Sequence, residues 1–341
     1  MEPATGTRPR TERLALLAAG VTVVLWGSAF VSIRSAAASY SPGALALGRL
    51  LLASAVLGVI VTVRREGWPV RAAWPGIIGS GVLWFGVYMV ALNWGEQSVD
   101  AGTASMVVGI GPLLVALLAG WLLKEGFSSR LLAGIAVAFA GVVLVGLSMS
   151  EGGRSSVVGV LLCVVAAVSL AGGVVAQKPA LRHGSPWQIT TFGAVVGAIA
   201  CLPFSGSLLS GLAEAPLSAT LNMVYLGLFP TALAFTTWAY AVTHSTTGKM
   251  AATTYAIPAV AVLLSWAFLG EVPGSLTLLG GALCVAGVVV AQGSGARPAK
   301  PATEASAADA GPGAKPDAAT EVEAEAGRVP DESPVVAKDQ A

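Results

Sequence analysis

WLLKEGFSSRLLAGIAVAFAGVV (121–143) and AFLGEVPGSLTLLGGALCVAGVV (267–289) are the same sentence written twice. Each ends an apolar run on one glutamate, Glu125 or Glu271, turns through a short polar link and begins a second apolar run. Charged residues are only 11% of the chain, so two such glutamates 146 residues apart invite a search for a repeat. At that offset 102–143 aligns with 248–289 without a gap, giving 14 identities in 42. Gly102 meets Gly248, Pro112 meets Pro258, Ser129 meets Ser275, Gly134 meets Gly280 and Gly141 meets Gly287. Apolar composition can produce the Leu and Val matches, but not a Pro and a Glu in register with three glycines. Upstream, SerPro at 41–42 returns at 185–186, an offset of 144. The chain is an internal duplication, which fixes its architecture before any single residue is weighed.

Composition decides the solvent. With 55% hydrophobic residues and a mean hydropathy of +0.77, the chain is too apolar for an ordinary soluble domain. Apolar stretches near 14–32, 43–63, 73–93, 102–123, 130–148, 156–177, 187–207, 217–241, 248–270 and 274–292 are long enough to cross a hydrocarbon core as helices. The seventh and eighth blur at LPFSGSLLSGLAEAP (202–216). Arg8, Arg10 and Arg13 before the first stretch could open a signal peptide, but the stretch is too long for one and nine more follow. The expected fold is therefore an all-α polytopic membrane protein with ten transmembrane helices. The expected divisions are a cytoplasmic N-terminal segment (1–13), a first five-helix repeat (14–148), a periplasmic linker (149–155), a second repeat (156–292) and a tail (293–341). That tail is Ala, Pro, Gly and Glu with almost no bulky apolar residue, a composition that predicts cytoplasmic disorder.

Orientation follows from Lys and Arg. With the N-terminus inside, the cytoplasmic segments hold thirteen of them and the outside loops hold Arg34 and Arg154. Both termini are expected in the cytoplasm, in a plasma or inner membrane. Five spans per copy is an odd number, so the second copy enters from the opposite side. The copies are then inverted repeats, an arrangement typical of secondary carriers with a binding site near the midplane.

WGSAF (26–30) in the first span, SP followed by Arg49 in the second, a mid-helix Pro in the fourth and an LxxE ending resemble an EamA-type domain. Two tandem copies resemble the drug/metabolite transporter superfamily over 14–292. That resemblance implies a carrier, commonly an exporter of amino acids or other small metabolites. WGSAF becomes LAGGV (170–174) in the second copy and Arg49 aligns with Gly193, so both contributions are one-sided.

Arg49 is the one charge well inside a span, and intramembrane charges default to functional hypotheses. It could grip a substrate carboxylate with its planar fork, or snorkel, or pair with Asp100, Glu96 or Glu271. Trp26, Ser28, Trp84, Tyr88, Asn93 and Tyr255 are candidates for a substrate cavity; Trp94 and Trp238 read as interfacial belt residues. Glu125 and Glu271 precede helix starts, where a carboxylate favours the dipole, and a gating role is the alternative. Pro112 and Pro258 either open backbone to a cavity or kink packed helices, and Gly102 and Gly248 permit close helix approach.

Several chemistries are excluded. A net charge of +1 gives no footprint for nucleic acid. TTGKM (246–250) lacks the earlier glycine of a phosphate-binding loop. Cys163, Cys201 and Cys284 form no CxxC, and His183 and His244 stand alone, so no metal site and no cofactor are expected. The partners are a small-molecule substrate and the lipid bilayer, with a homodimer admitted. Against the carrier stands a non-transporting scaffold or intramembrane enzyme, for which the spans lack paired carboxylates or a Ser/His arrangement.

Overall fold

In hydrocarbon every backbone N–H and C=O must be satisfied inside the protein, so apolar runs of this length become helices. The computed structural model describes residues 8–122, 127–148, 154–244 and 253–292, and each element within them is helical. In chain order these are α1 (Arg8–Ala36), α2 (Pro42–Val63), α3 (Arg71–Gly95), α4 (Ala101–Leu122), α5 (Ser129–Ser148) and α6 (Arg154–Ala180). Then come α7 (Pro186–Ala200), α8 (Leu202–Glu214), α9 (217–244), α10 (Ala256–Leu269) and α11 (Ser275–Gln292). Glu125 and Gly248 lie outside the described residues, as do most of the 149–155 linker and the whole 293–341 tail.

Seven of these helices, α1 to α6 and α9, are long and apolar enough to cross a membrane. The α7–α8 pair passes the same test as one span bent by 51°, while α10 and α11 are shorter apolar helices. The expected blur at 202–216 is a structural feature. After Cys201 the chain tightens into a 3₁₀ turn at Leu202–Phe204, where Pro203 cannot donate a helical hydrogen bond, and resumes as a helix through Glu214.

Local chemistry recurs at the repeat distance. Ser41 and Ser185 cap α2 and α7 in the same extended conformation, each accepting from a backbone N–H three residues on, Ala44 at 3.3 Å and Gln188 at 3.1 Å. Proline follows each cap at the first helical position, where its missing donor costs nothing. A seven-residue π-helical segment interrupts α3 at Gly81–Val87, and another interrupts α9 at Gly227–Leu233, 146 residues later. A turn breaks α4 at Gly109–Ile110, and Tyr255 breaks the chain just before α10. Pro112 and Pro258 stand three residues after Gly109 and Tyr255, and each ring would clash with the carbonyl four residues back in an unbroken helix.

Packing repeats as well, but crosswise. A Cβ on Gly134 would lie 2.4 Å from the Gly287 carbonyl oxygen, and one on Gly141 would lie 2.5 Å from that of Gly280. Between them the Cys284 thiol approaches the Ala138 carbonyl oxygen at 3.5 Å. α5 and α11 are therefore antiparallel, with backbones so close that only glycine fits. Likewise a Cβ on Gly81 would meet the Gly193 carbonyl oxygen of α7 at 2.8 Å, and one on Gly227 would meet that of Arg49 on α2 at 2.9 Å.

The main core joins α1, α2, α3, α4, α6, α7 and α9 through side chains such as Ile33, Leu50, Phe85, Val107, Ala166, Ala194 and Leu226. A second cluster packs Ile110, Leu113 and Ala138 against Cys284 and Val288. The outward faces carry Leu17, Phe139, Leu209 and Phe268, each two-thirds or more exposed. Patches of that kind rimming every long helix belong against acyl chains, not water.

Candidate functional site

Three helices meet on one aromatic ring. Phe235, just past the π-helical segment of α9, takes Trp26 of α1 edge-on at 5.9 Å and Trp84 of α3 at 5.2 Å between centroids. Phe85 and Trp238 extend the cluster, the latter at 5.3 Å from Trp26. Of the two tryptophans read as belt residues, Trp238 is half-buried against Trp26 and Trp94 is more than half exposed. Beside Phe235 is a cavity of about 10 Å³ lined by Leu57, Pro186, Trp187, Thr190, Thr236 and Ala239. That is about the room one water needs.

Arg49 is buried on α2, and its Nε donates to the Thr231 hydroxyl at 2.7 Å. Thr231 lies in the π-helical segment of α9 and donates in turn to the Leu226 carbonyl, a five-residue reach. Single-turn π segments of this kind recur at functional sites. Of the acids weighed as partners for Arg49, two are engaged elsewhere, and the third, Glu96, has no hydrogen-bond partner on its carboxylate among the described residues. Asp100 caps α4 through the Thr103 N–H at 2.8 Å, and Glu271 is held by Arg34.

The other candidates separate. Ser28 shares a 2.7 Å hydrogen bond with the Tyr225 hydroxyl, linking α1 to α9. Tyr88 packs against the main core. Asn93 donates to the Pro42 carbonyl at 3.0 Å, tying the end of α3 to the start of α2. Tyr255 belongs to the second cluster, away from Phe235, with its hydroxyl buried and unpartnered among the described residues. Pro112 is half-buried, Pro258 is buried, and a Cβ on Gly102 would press on Pro273 and Val262 at 2.9 Å. The structure therefore brings Trp26 and Trp84 together and leaves Asn93 and Tyr255 apart from them.

One constellation was not expected. Arg34, in the last turn of α1, donates its Nε to Glu271 at 2.9 Å. Its Nη1 donates to the carbonyl oxygens of Glu96 at 2.8 Å and Gln97 at 3.3 Å. Glu271 follows Gly270, whose left-handed φ of 66° ends α10 and aims the next residue at α1. A single arginine thus holds together the ends of α1, α3 and α10. Arg34, Thr231 and Phe235 carried no signal of their own in the sequence, and Glu96 entered only as a possible partner for Arg49. Arg34 sat near a span end, and a Thr or Phe in an apolar run is ordinary.

The EamA-like transporter family is matched twice, over residues 13–147 and 157–292. The chain belongs to that family. This EamA-like protein is accordingly a multi-pass membrane transporter of the drug/metabolite superfamily acting on a small molecule, and not an enzyme. It is 36% identical over 271 residues to the "Probable terminal-alkyne amino-acid exporter" of Streptantibioticus cattleyicolor, covering 79% of this chain and 90% of that one. Its identity to the uncharacterized transporter YdfC of Bacillus subtilis is 33% over 273 residues, covering 80% and 89%. A "Probable amino-acid metabolite efflux pump" of Salmonella typhimurium is 27% identical over 280 residues, covering 79% and 92%. A solved crystal structure matches the fold with a TM-score of 0.55 at 22% identity, over 84% of this chain and 98% of the other.

Proposed function

We propose that this transporter is a ten-span secondary carrier that exports an amino acid or a related small metabolite by alternating access between inverted halves, 14–148 and 156–292. The crosswise contact of α5 with α11 carries this reading. Gly134 meets the counterpart of Gly141, Gly141 meets the counterpart of Gly134, and Ala138 meets its own counterpart Cys284. Such exchange between two antiparallel helices is what a two-fold axis lying across them produces. An axis across spanning helices lies in the membrane plane, and halves so related can rock about a shared centre. Seven long helices, one bent pair and two shorter apolar helices support ten crossings.

In this reading both termini are cytoplasmic, and Trp26, Trp84, Tyr88 and Arg49 border the substrate path. The exporter direction and the amino-acid class are taken from the names of the two relatives. Arg49 supports the class, because a guanidinium suits a carboxylate better than it suits a cationic drug. A homodimer goes forward as part of the same proposal, to be tested by light scattering of the detergent-solubilised chain. The decisive experiment is a thermal-shift screen of purified protein against amino acids, nucleosides and cationic drugs, followed by counterflow in proteoliposomes. Stabilisation and counterflow by amino acids are the expected result. Stabilisation by cationic drugs alone would refute the substrate class.

A further inference from the structure

Glu96 immediately follows α3, in the 96–100 turn between spans, yet it is wholly buried. Neither of its carboxylate oxygens has a hydrogen-bond partner among the described residues. Asn93 Oδ1 and Glu271 Oε2, at the same end of the bundle, are also buried and unpartnered. Four orphaned acceptor atoms in one region mark a place short of donors. Arg34 does not relieve it, because its Nε is on Glu271 Oε1 and its Nη1 is on backbone carbonyls. Arg49 directs its Nε to Thr231.

An ionised carboxylate left unpaired in such surroundings is strongly disfavoured. Burial accordingly pushes the Glu96 carboxyl well above the usual carboxylate range. The charged groups that act on it from the surrounding elements are Arg34 on α1 and Arg49 on α2, which favour ionisation, and Asp100 and Glu271, which oppose it. Tyr88 on α3 and Cys163 on α6 also face it. A cavity of about 400 Å³ is bounded by Arg34, Ala37, Ala38, Gln97, Leu269 and Glu271; both members of the ion pair line it, Arg34 also touches the Glu96 backbone, and the buried Glu96 side chain does not line it.

We propose that Glu96 is a proton-binding site whose access to water is closed by the Arg34–Glu271 pair. While the pair is made, the carboxyl keeps its O–H bond. When the pair parts, water from the cavity reaches Glu96, the O–H proton passes to that water and the carboxylate remains. Reprotonation from water precedes closure. The place of this exchange in a transport cycle rests on the carrier reading; the proton site itself does not.

The test therefore uses no substrate. The full chain is purified in detergent, and the carboxyl C=O infrared band is followed through a pH titration. A band persisting at neutral pH in wild type and lost in Glu96→Gln is expected. Glu271→Gln removes a negative charge that opposes ionisation and also opens the seal, so both effects should move the titration to lower pH. Because a raised carboxyl stabilises the fold only while protonated, the wild-type melting temperature should fall as pH rises through the folded-state value. Glu96→Gln, an uncharged isostere, should lose that dependence. If Glu271→Gln does not fold, slow hydrogen–deuterium exchange of the wild-type band reports the seal instead. Absence of any neutral-pH band removed by Glu96→Gln overturns the proton site. An unmoved titration in Glu271→Gln, or immediate exchange, overturns the gate. Any of these would leave a positive substrate screen standing, and a failed screen would leave the titration intact.

Discussion

Arg49 reaches across from α2 to the hydroxyl of Thr231, inside the π-helical segment of α9. Its Nε–H bond to Thr231 is charged on one side and buried, the class worth about 1.5–3 kcal/mol. Thr231→Val should remove about that much stability, read as a lowered melting temperature in detergent. Arg49→Lys keeps the charge but cannot reproduce the planar fork. Once a substrate is in hand, it should impair counterflow nearly as much as Arg49→Ala; wild-type kinetics in either variant would remove Arg49 from the path. Arg49 was legible in the sequence because a lone charge inside an apolar run has no cheap explanation. Thr231 and Phe235 were not, since their roles depend on which helix faces them. Glu96 was legible only as a possible partner for Arg49, and only the folded chain shows it shut away with its carboxylate unpartnered among the described residues.

At the scale of elements, the glycines on α5 and α11 set how closely those helices approach. A Cβ at Gly141 would overlap the Gly280 carbonyl oxygen, so Gly141→Val must push the helices apart. Overpacking of this kind typically costs about 1–3 kcal/mol. Gly146→Val on the same helix meets nothing within 4 Å and serves as the control, with little change in melting temperature. If both variants melt alike, the close approach is not what stabilises the pair. The register of this contact could be anticipated, because Pro, Glu and three glycines keep step over 42 residues. The 51° bend between α7 and α8 could not: LPFSGSLLSGLAEAP has the small and polar residues of a loop, and its helix is marginal by composition. The π-helical segments were equally hidden, for Gly81–Val87 holds no proline and Gly227–Leu233 does. What they share is position in the fold and one opening glycine, Gly81 or Gly227, which is too common in this chain to mark them.

For the whole molecule, the proposed orientation and symmetry can be checked without a substrate. Single cysteines at Trp68 or His183, both exposed, should resist membrane-impermeant labelling in intact cells. Their labelling from outside would reverse the topology. Background should be low, because the native Cys163, Cys201 and Cys284 are all buried. Ala138→Cys should form an oxidant-induced disulfide with Cys284, retaining both halves in one band after cleavage at a protease site placed near 150. Two fragments under oxidising conditions would deny the contact between counterparts. The meeting of Ala138 with Cys284 also speaks to ancestry. A surface on which a residue touches its own equivalent is self-complementary, so one undoubled gene product could have mated with an upside-down twin. Such a forebear would have had to insert both ways up in equal measure. On the proposed inverted arrangement, fusion of two copies would relieve that indifference and leave each half free to settle on one direction and to specialise, as the one-sided Arg49, whose counterpart is Gly193, illustrates.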